Sequence, residues 1–173
     1  MPSRRRLRLQ QCRTLLLVVE GETEEAFVNH LRKMYVSRGS GLKITVRCAH
    51  GKGAKHVVEY AARLRGSASF DRVAVLLDTD TDWTSEVQRL AKEKGIHVLG
   101  SQPCIEAVLL RAIGQPAEGK SRELKSRLAP FVNDNALDSR NYDSHFGDDV
   151  LQRARTTEPV LNDLLGLLNI EQW

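Results

Sequence analysis

Glu20, Asp78 and Asp80 are the residues here whose type and spacing point most directly to chemistry. Glu20 follows the apolar run Leu15–Val19, and Asp78 follows Val73–Leu77, with Asp80 two residues further on. Carboxylates gathered at one place repel each other unless a cation neutralises them, and hard oxygen ligands select Mg²⁺ or Mn²⁺. Such an ion can hold a phosphodiester oxygen and stabilise the charge of an in-line displacement. Singly, each motif is weak. A DxD after a strand also caps a helix or forms an Asx turn, and a Glu-Gly after a strand is weaker still. The combination gains weight because ligands of an open parallel sheet bind beyond the carboxyl ends of its strands, where the loops converge.

The chain around these residues alternates strand and helix. Leu15–Val19 is continuous and apolar, as a strand buried on both faces must be. Gly21 marks a tight turn, Thr23 is the expected helix N-cap, and Glu24 and Glu25 fall in the first turn. Ala26, Phe27, Leu31, Met34 and Tyr35 recur at helical spacing, and that helix should end near Gly39. Leu42–Val46 alternates as a second strand, and Val57, Val58, Ala61, Ala62 and Leu64 give a second helix. Arg72–Leu77 is the clearest buried strand. A helix over about Ser85–Lys94, closed by Gly95, leads to a fourth strand, Ile96–Leu99. Pro103 suits the first turn of a helix continuing through Ala107–Leu110. This order predicts a Rossmann-like α/β fold with about four parallel strands and flanking helices.

From Gly114 the pattern changes. One helix is expected near Ser121–Leu128, then an amphipathic region over 148–168 interrupted near Pro159. The expected division is a basic tail at 1–13, an α/β domain at 14–113, and a mostly helical C-terminal extension at 114–173 packed on the same domain.

The 173 residues suit one domain, with 41% hydrophobic and 28% charged residues. The net charge is +4, and the excess is uneven. Arg4, Arg5, Arg6, Arg8 and Arg13 precede any acidic residue, so the amino terminus is drawn to phosphate. Cys12, Cys48 and Cys104 lack metal-ligand spacing and read as reduced thiols. No apolar run approaches the roughly 20 residues that cross a bilayer, and the run at Leu15–Val19 is too short for a signal-peptide core. The expectation is a soluble, cytoplasmic protein.

Other residues carry weaker signals. Glu24, about one turn from Glu20, reads first as a partner of the helix dipole and second as a further ligand; Asp82 is a similar case. The loop His50–His56 follows the second strand, so its glycines and Lys52 and Lys55 lie near the same edge and can grip phosphate. It lacks the Walker spacing, which excludes an NTPase of that type. His97 and His145 read as structural, and Trp83 reads as core before it reads as a base-stacking ring. Ser101 and Cys104 have no His–Asp partner by spacing and are discounted as nucleophiles.

LVVEGETEEAFVNHL resembles the first motif of Toprim domains, a strand ending in Glu-Gly, and VAVLLDTDTD resembles their second, a strand ending in DxD. With SQPCIEAVLL added, the set resembles the RloB-like family, small Toprim-type proteins associated with bacterial defence and restriction loci. The resemblance covers about residues 14–112; Gln102 and Ile105 depart from the Asn and Phe of the family's third motif. It implies that Glu20 serves as general base or acid and reaches the metal, that Asp78 and Asp80 hold the metal, and that Glu106 joins the same crevice.

The resulting expectation is a Mg²⁺- or Mn²⁺-dependent endonuclease acting on DNA or RNA in anti-phage defence. Glu20, Asp78, Asp80 and Glu106 would be catalytic, and Glu20, Asp78 and Asp80 would hold the metal. Lys52, Lys55, Arg4, Arg5 and Arg6 would hold nucleic acid. The alternative is a non-catalytic or partner-activated nucleic-acid-binding subunit of a defence complex. A defence-system partner protein and a homodimer through the C-terminal region are further expectations, with no membrane involved. Phosphotransfer on small substrates is a third, weaker reading.

Overall fold

The computed structural model describes residues 12–80 and 82–173, with the side chain of Ile170 left aside. Arg4, Arg5 and Arg6 therefore lie outside the described residues. Four strands, β1 (Arg13–Val19), β2 (Leu42–Cys48), β3 (Arg72–Asp78) and β4 (His97–Ser101), form one parallel sheet in the order β2-β1-β3-β4. The predicted α/β architecture with about four parallel strands is present.

Strand alternation assigns each face its own core. Leu15, Leu17 and Val19 of β1 point to one side and Leu16 and Val18 to the other. The second face is covered by α2 (Gly53–Ser67) and α3 (Ser85–Glu93). The first is covered by α1 (Glu22–Tyr35) and α4 (Ile105–Ala112), with residues of α5 (Ser121–Leu128), α6 (Asp148–Ala154) and α7 (Pro159–Leu168) in the same cluster. The apolar face of α7 is thus spent inside its own chain: Val160, Leu161, Leu164, Leu165, Leu167 and Leu168 are all buried. Among the described residues no helix is long and apolar enough to cross a membrane.

The seam between α1 and the C-terminal extension is aromatic. Phe27 stands 5.6 Å from Tyr142 and 6.1 Å from Phe146, centroid to centroid. All three are fully buried. Beside them His30 Nε2 meets the Phe146 carbonyl at 2.8 Å and Nδ1 meets Asp143 Oδ1 at 3.1 Å.

Two helix starts differ from expectation. Thr23 does not cap α1; the N-cap is Gly21, in extended backbone, and the Glu24 carboxylate accepts from its own backbone N–H. Pro103 is not in the first turn of α4, which begins at Ile105 after Cys104. The reason for the second lies across the sheet: the Asp78 side chain accepts from Ile105 N–H at 3.0 Å and sets where the helix starts.

The chain makes β1, steps outward to β2, then crosses back over β1 to make β3. The strand order therefore reverses between β1 and β3, which opens a crevice at their carboxyl ends. Glu20 and Asp78 are the residues at that point.

Phe27→Ala removes the centre of the aromatic seam and is expected to cost about 3–5 kcal/mol. Urea unfolding measures it. A loss below about 1 kcal/mol contradicts the packing described.

Candidate functional site

The site is built on backbone hydrogen bonds. Glu20 N–H donates to the Leu76 carbonyl at 2.9 Å, which extends the sheet one residue past β1. The Glu20 side chain then turns over the next strand, and Oε2 accepts from Asp78 N–H at 3.0 Å. Asp78 in turn reaches the Ile105 N–H. A chain of carboxylate-to-backbone bonds thus links the ends of β1 and β3 to the start of α4. Each carboxylate spends one oxygen on this chain and has a second.

Two further carboxylates close in from the helices above. Glu24 on α1 and Glu106 on α4 are both buried. Asp78 is pushed up to about 8, first by burial and then by the charges of Glu24, Glu106 and Glu20. Glu24 is pushed up to about 7 by burial, with Glu106 and Glu20 adding to it. Glu20 is also raised, by burial against the relief of its bond to Asp78 N–H, with Asp80 and Asp82 contributing. Four carboxylates therefore share one field.

Lys125 carries no signal in the sequence. It stands on α5, in the C-terminal extension, with Nζ 3.8 Å from Glu106 Oε1. It also eases the charge on Glu24. No local motif marks it, because only the packing of α5 on α4 brings it there.

Ser101 stands opposite Asp78 in the β3–β4 register and shares a strand face with Leu99. Its Oγ is buried and, among the described residues, has no hydrogen-bond partner. A buried hydroxyl without a partner is uncommon and calls for a ligand or water to satisfy it. Cys104 is buried beside Glu106 and its thiol is pushed up to about 12, chiefly by that burial, which disfavours the thiolate form.

The rim is formed by loops. Asp80 and Asp82 are exposed. Gly51 N–H donates to the Glu20 carbonyl at 2.8 Å, so the basic loop does abut the crevice. Gly53 has φ +82, which favours glycine, and a Cβ there would lie 2.7 Å from Asp82 Oδ2 and push that side chain aside. Lys52 is exposed at the N-cap of α2. Lys55 pairs with Glu86 of α3 at 3.4 Å. Trp83 packs against the core beside α2 and α3; His97 and His145 are exposed, with His145 edge-on to Phe131.

The donors are all oxygen, which suits a hard cation such as Mg²⁺ or Mn²⁺. The carboxylate field and the unpartnered Ser101 hydroxyl favour one. As they stand, however, no three His, Cys, Asp or Glu side chains among the described residues are arranged to hold a metal ion. Glu20, Glu24 and Glu106 are long side chains able to close on an ion, whereas Asp78 is fixed by Ile105.

The fold and site are those of a parallel α/β protein with buried carboxylates at its switch point. The chain belongs to the RloB-like protein family, whose family model matches residues 15–160. That match takes in Glu20, Glu24, Asp78, Asp80, Glu106 and Lys125 together. No curated protein matches the chain.

The raised carboxyls give a pH dependence of definite sign. Between the unfolded carboxylate range near about 4 and the shifted values of about 7 and about 8, the folded state holds protons that the unfolded chain has released. Stability therefore falls as pH rises through this window. In EDTA the melting temperature should drop between about pH 5 and about pH 8, and Asp78→Asn should flatten the drop. A melting temperature that climbs across the window contradicts the buried cluster.

Proposed function

We propose that the chain is a metal-dependent nuclease that cleaves phosphodiester bonds in DNA or RNA by Toprim-type chemistry, in bacterial anti-phage defence. The observation that carries this reading is the joining of Glu20, Asp78 and Ile105 N–H across the switch point, under the field of Glu24 and Glu106. Membership of the RloB-like family supports it.

The cofactor in this reading is Mg²⁺ or Mn²⁺, held by Glu20, Asp78 and Asp80 with Glu24 and Glu106 in reach. When bound it supplies Lewis-acid stabilisation of the phosphoryl oxygens. The chain's own residues do the rest. Asp78 stays fixed by Ile105 N–H and orients the site. Glu20, with a raised proton affinity and one oxygen not spent on Asp78 N–H, passes a proton to or from the attacking or leaving oxygen. Lys52 holds the phosphate at the rim, Lys55 stands behind it, and Arg4, Arg5 and Arg6 add charge. Lys125, with Nζ 3.8 Å from Glu106 Oε1, offsets part of the negative charge of the cluster.

A partner-activated subunit is the second reading. The observation favouring it is that the carboxylates, as they stand, are not closed around an ion-sized point among the described residues. A partner that redirects the Glu20, Glu24 and Glu106 side chains would close them. Either reading places the protein in the cytoplasm.

Incubation of the pure chain with single- and double-stranded DNA, tRNA and Mn²⁺ tests the enzyme reading. Cleavage should appear with the ion and vanish with EDTA. Asp78→Asn should reduce the rate on the order of a thousandfold, the equivalent of losing the several kcal/mol a metal supplies. Glu106→Gln should reduce it by a smaller factor. No cleavage of any substrate by the wild type alone, with cleavage restored by a stoichiometric partner from the native host, would replace the first reading with the second.

A further inference from the structure

A second charged feature lies at the other end of the sheet. The carboxyl-terminal half of α1, the turn that follows it and the first half of β2 line a shallow, open groove of about 730 Å³. Arg32, Lys33, Arg38 and Lys43 line it, and Asn29 and Ser139 add polar donors. None of the described residues that line it is acidic. Among the described residues Lys33 is ion-paired, to Asp143 at 3.2 Å, while Arg32, Arg38 and Lys43 have no ion pair. All three are exposed.

The arrangement exceeds what an ordinary solvated surface requires. A lysine on an edge strand guards against edge-to-edge pairing, and this accounts for Lys43 on β2. It does not account for Arg32, from a helix, and Arg38, from a turn, reaching the same groove. Three unpaired cations from three elements, with an amide and a hydroxyl between them, fit a run of phosphates rather than one carboxylate. Arg13, which opens β1, donates its backbone N–H to the Gly41 carbonyl at 2.7 Å, so the chain enters the fold beside this groove.

We infer that this groove binds a nucleic-acid strand through its phosphates, as a site separate from the acidic crevice. It deepens the nuclease reading and rests on it for the identity of the polyanion, but not for the binding itself. A strand rises roughly 3.3 Å per residue, so four to six residues of β2 separate the groove from the carboxyl edge by roughly 13–20 Å. The groove grips the substrate at a distance and leaves the crevice to act on it. It also answers a problem of charge: a crevice of carboxylates repels phosphate, and attraction must come from elsewhere.

The test is fluorescence anisotropy of labelled mixed-sequence single-stranded and duplex oligonucleotides, titrated with the full chain in EDTA over a range of salt. EDTA removes cleavage, so the result does not depend on the chemistry. The triple variant R32A/R38A/K43A should bind about tenfold more weakly at low salt. Its log–log salt slope should be shallower by about 2 to 3, because each duplex phosphate that the protein neutralises adds about 0.9 to the slope. The control R89A/K92A/K94A on and just beyond α3 should bind as wild type does. R38E alone, in the turn, should weaken binding too, and gives a reading should the triple variant not fold. D78N should bind normally in EDTA yet fail to cleave when Mn²⁺ is supplied, which separates this site from the nuclease reading.

Wild-type slope and affinity in folded R32A/R38A/K43A or R38E would overturn the inference. So would equal weakening in the α3 control, or a wild-type chain that binds anionic phospholipid vesicles but neither oligonucleotide.

Discussion

The crowding of carboxylates at the β1–β3 switch point is the constraint on which the rest of this structure depends. Burial and mutual repulsion both raise the cost of ionising Asp78 and Glu24. The fold meets this cost locally. It spends backbone N–H groups on Glu20 and Asp78, brings Lys125 over Glu106, and places the helices so that no carboxylate is wholly without relief. Such a concentration of perturbed groups in a crevice makes it the candidate functional site.

The same constraint gives the C-terminal extension a purpose. Residues beyond α4 cover the sheet face that holds Glu24 and Glu106, and they anchor on α1 through Phe27, Tyr142, Phe146 and His30. Arg111 of α4 is gripped by Glu158 at 2.6 and 2.9 Å and also donates to the Gln102 carbonyl, which ties the extension to the loop before α4. The helix bearing Glu106 is thereby held from both sides. Rigid support of this kind is what a site of fixed geometry needs.

Much of this was legible in the sequence. The continuous apolar runs ending in Glu20 and Asp78 announce buried parallel strands, and strand ends in such sheets are where ligands bind. Glu24 reads naturally as a first-turn dipole partner, because nothing local says that it is buried. Lys125 is invisible, and Ser101 legible only as a discounted nucleophile, for a different reason. Their positions follow from helix packing and sheet register, which link residues far apart in the chain. Pro103 misleads because a proline can open a helix, whereas here the Asp78 carboxylate decides the start. The groove of Arg32, Arg38 and Lys43 is likewise scattered over a helix, a turn and a strand, so it has no motif to betray it.

The central claim is that the switch-point carboxylates hold a divalent cation. Anomalous diffraction from crystals soaked in Mn²⁺ tests it most directly. The account predicts a manganese peak bonded to Asp78, with Glu20, Asp80, Glu24 or Glu106 completing the oxygen ligands, and no such peak in crystals of Asp78→Asn. Manganese bound elsewhere, with Asp78 still engaged only by the Ile105 N–H, would contradict it.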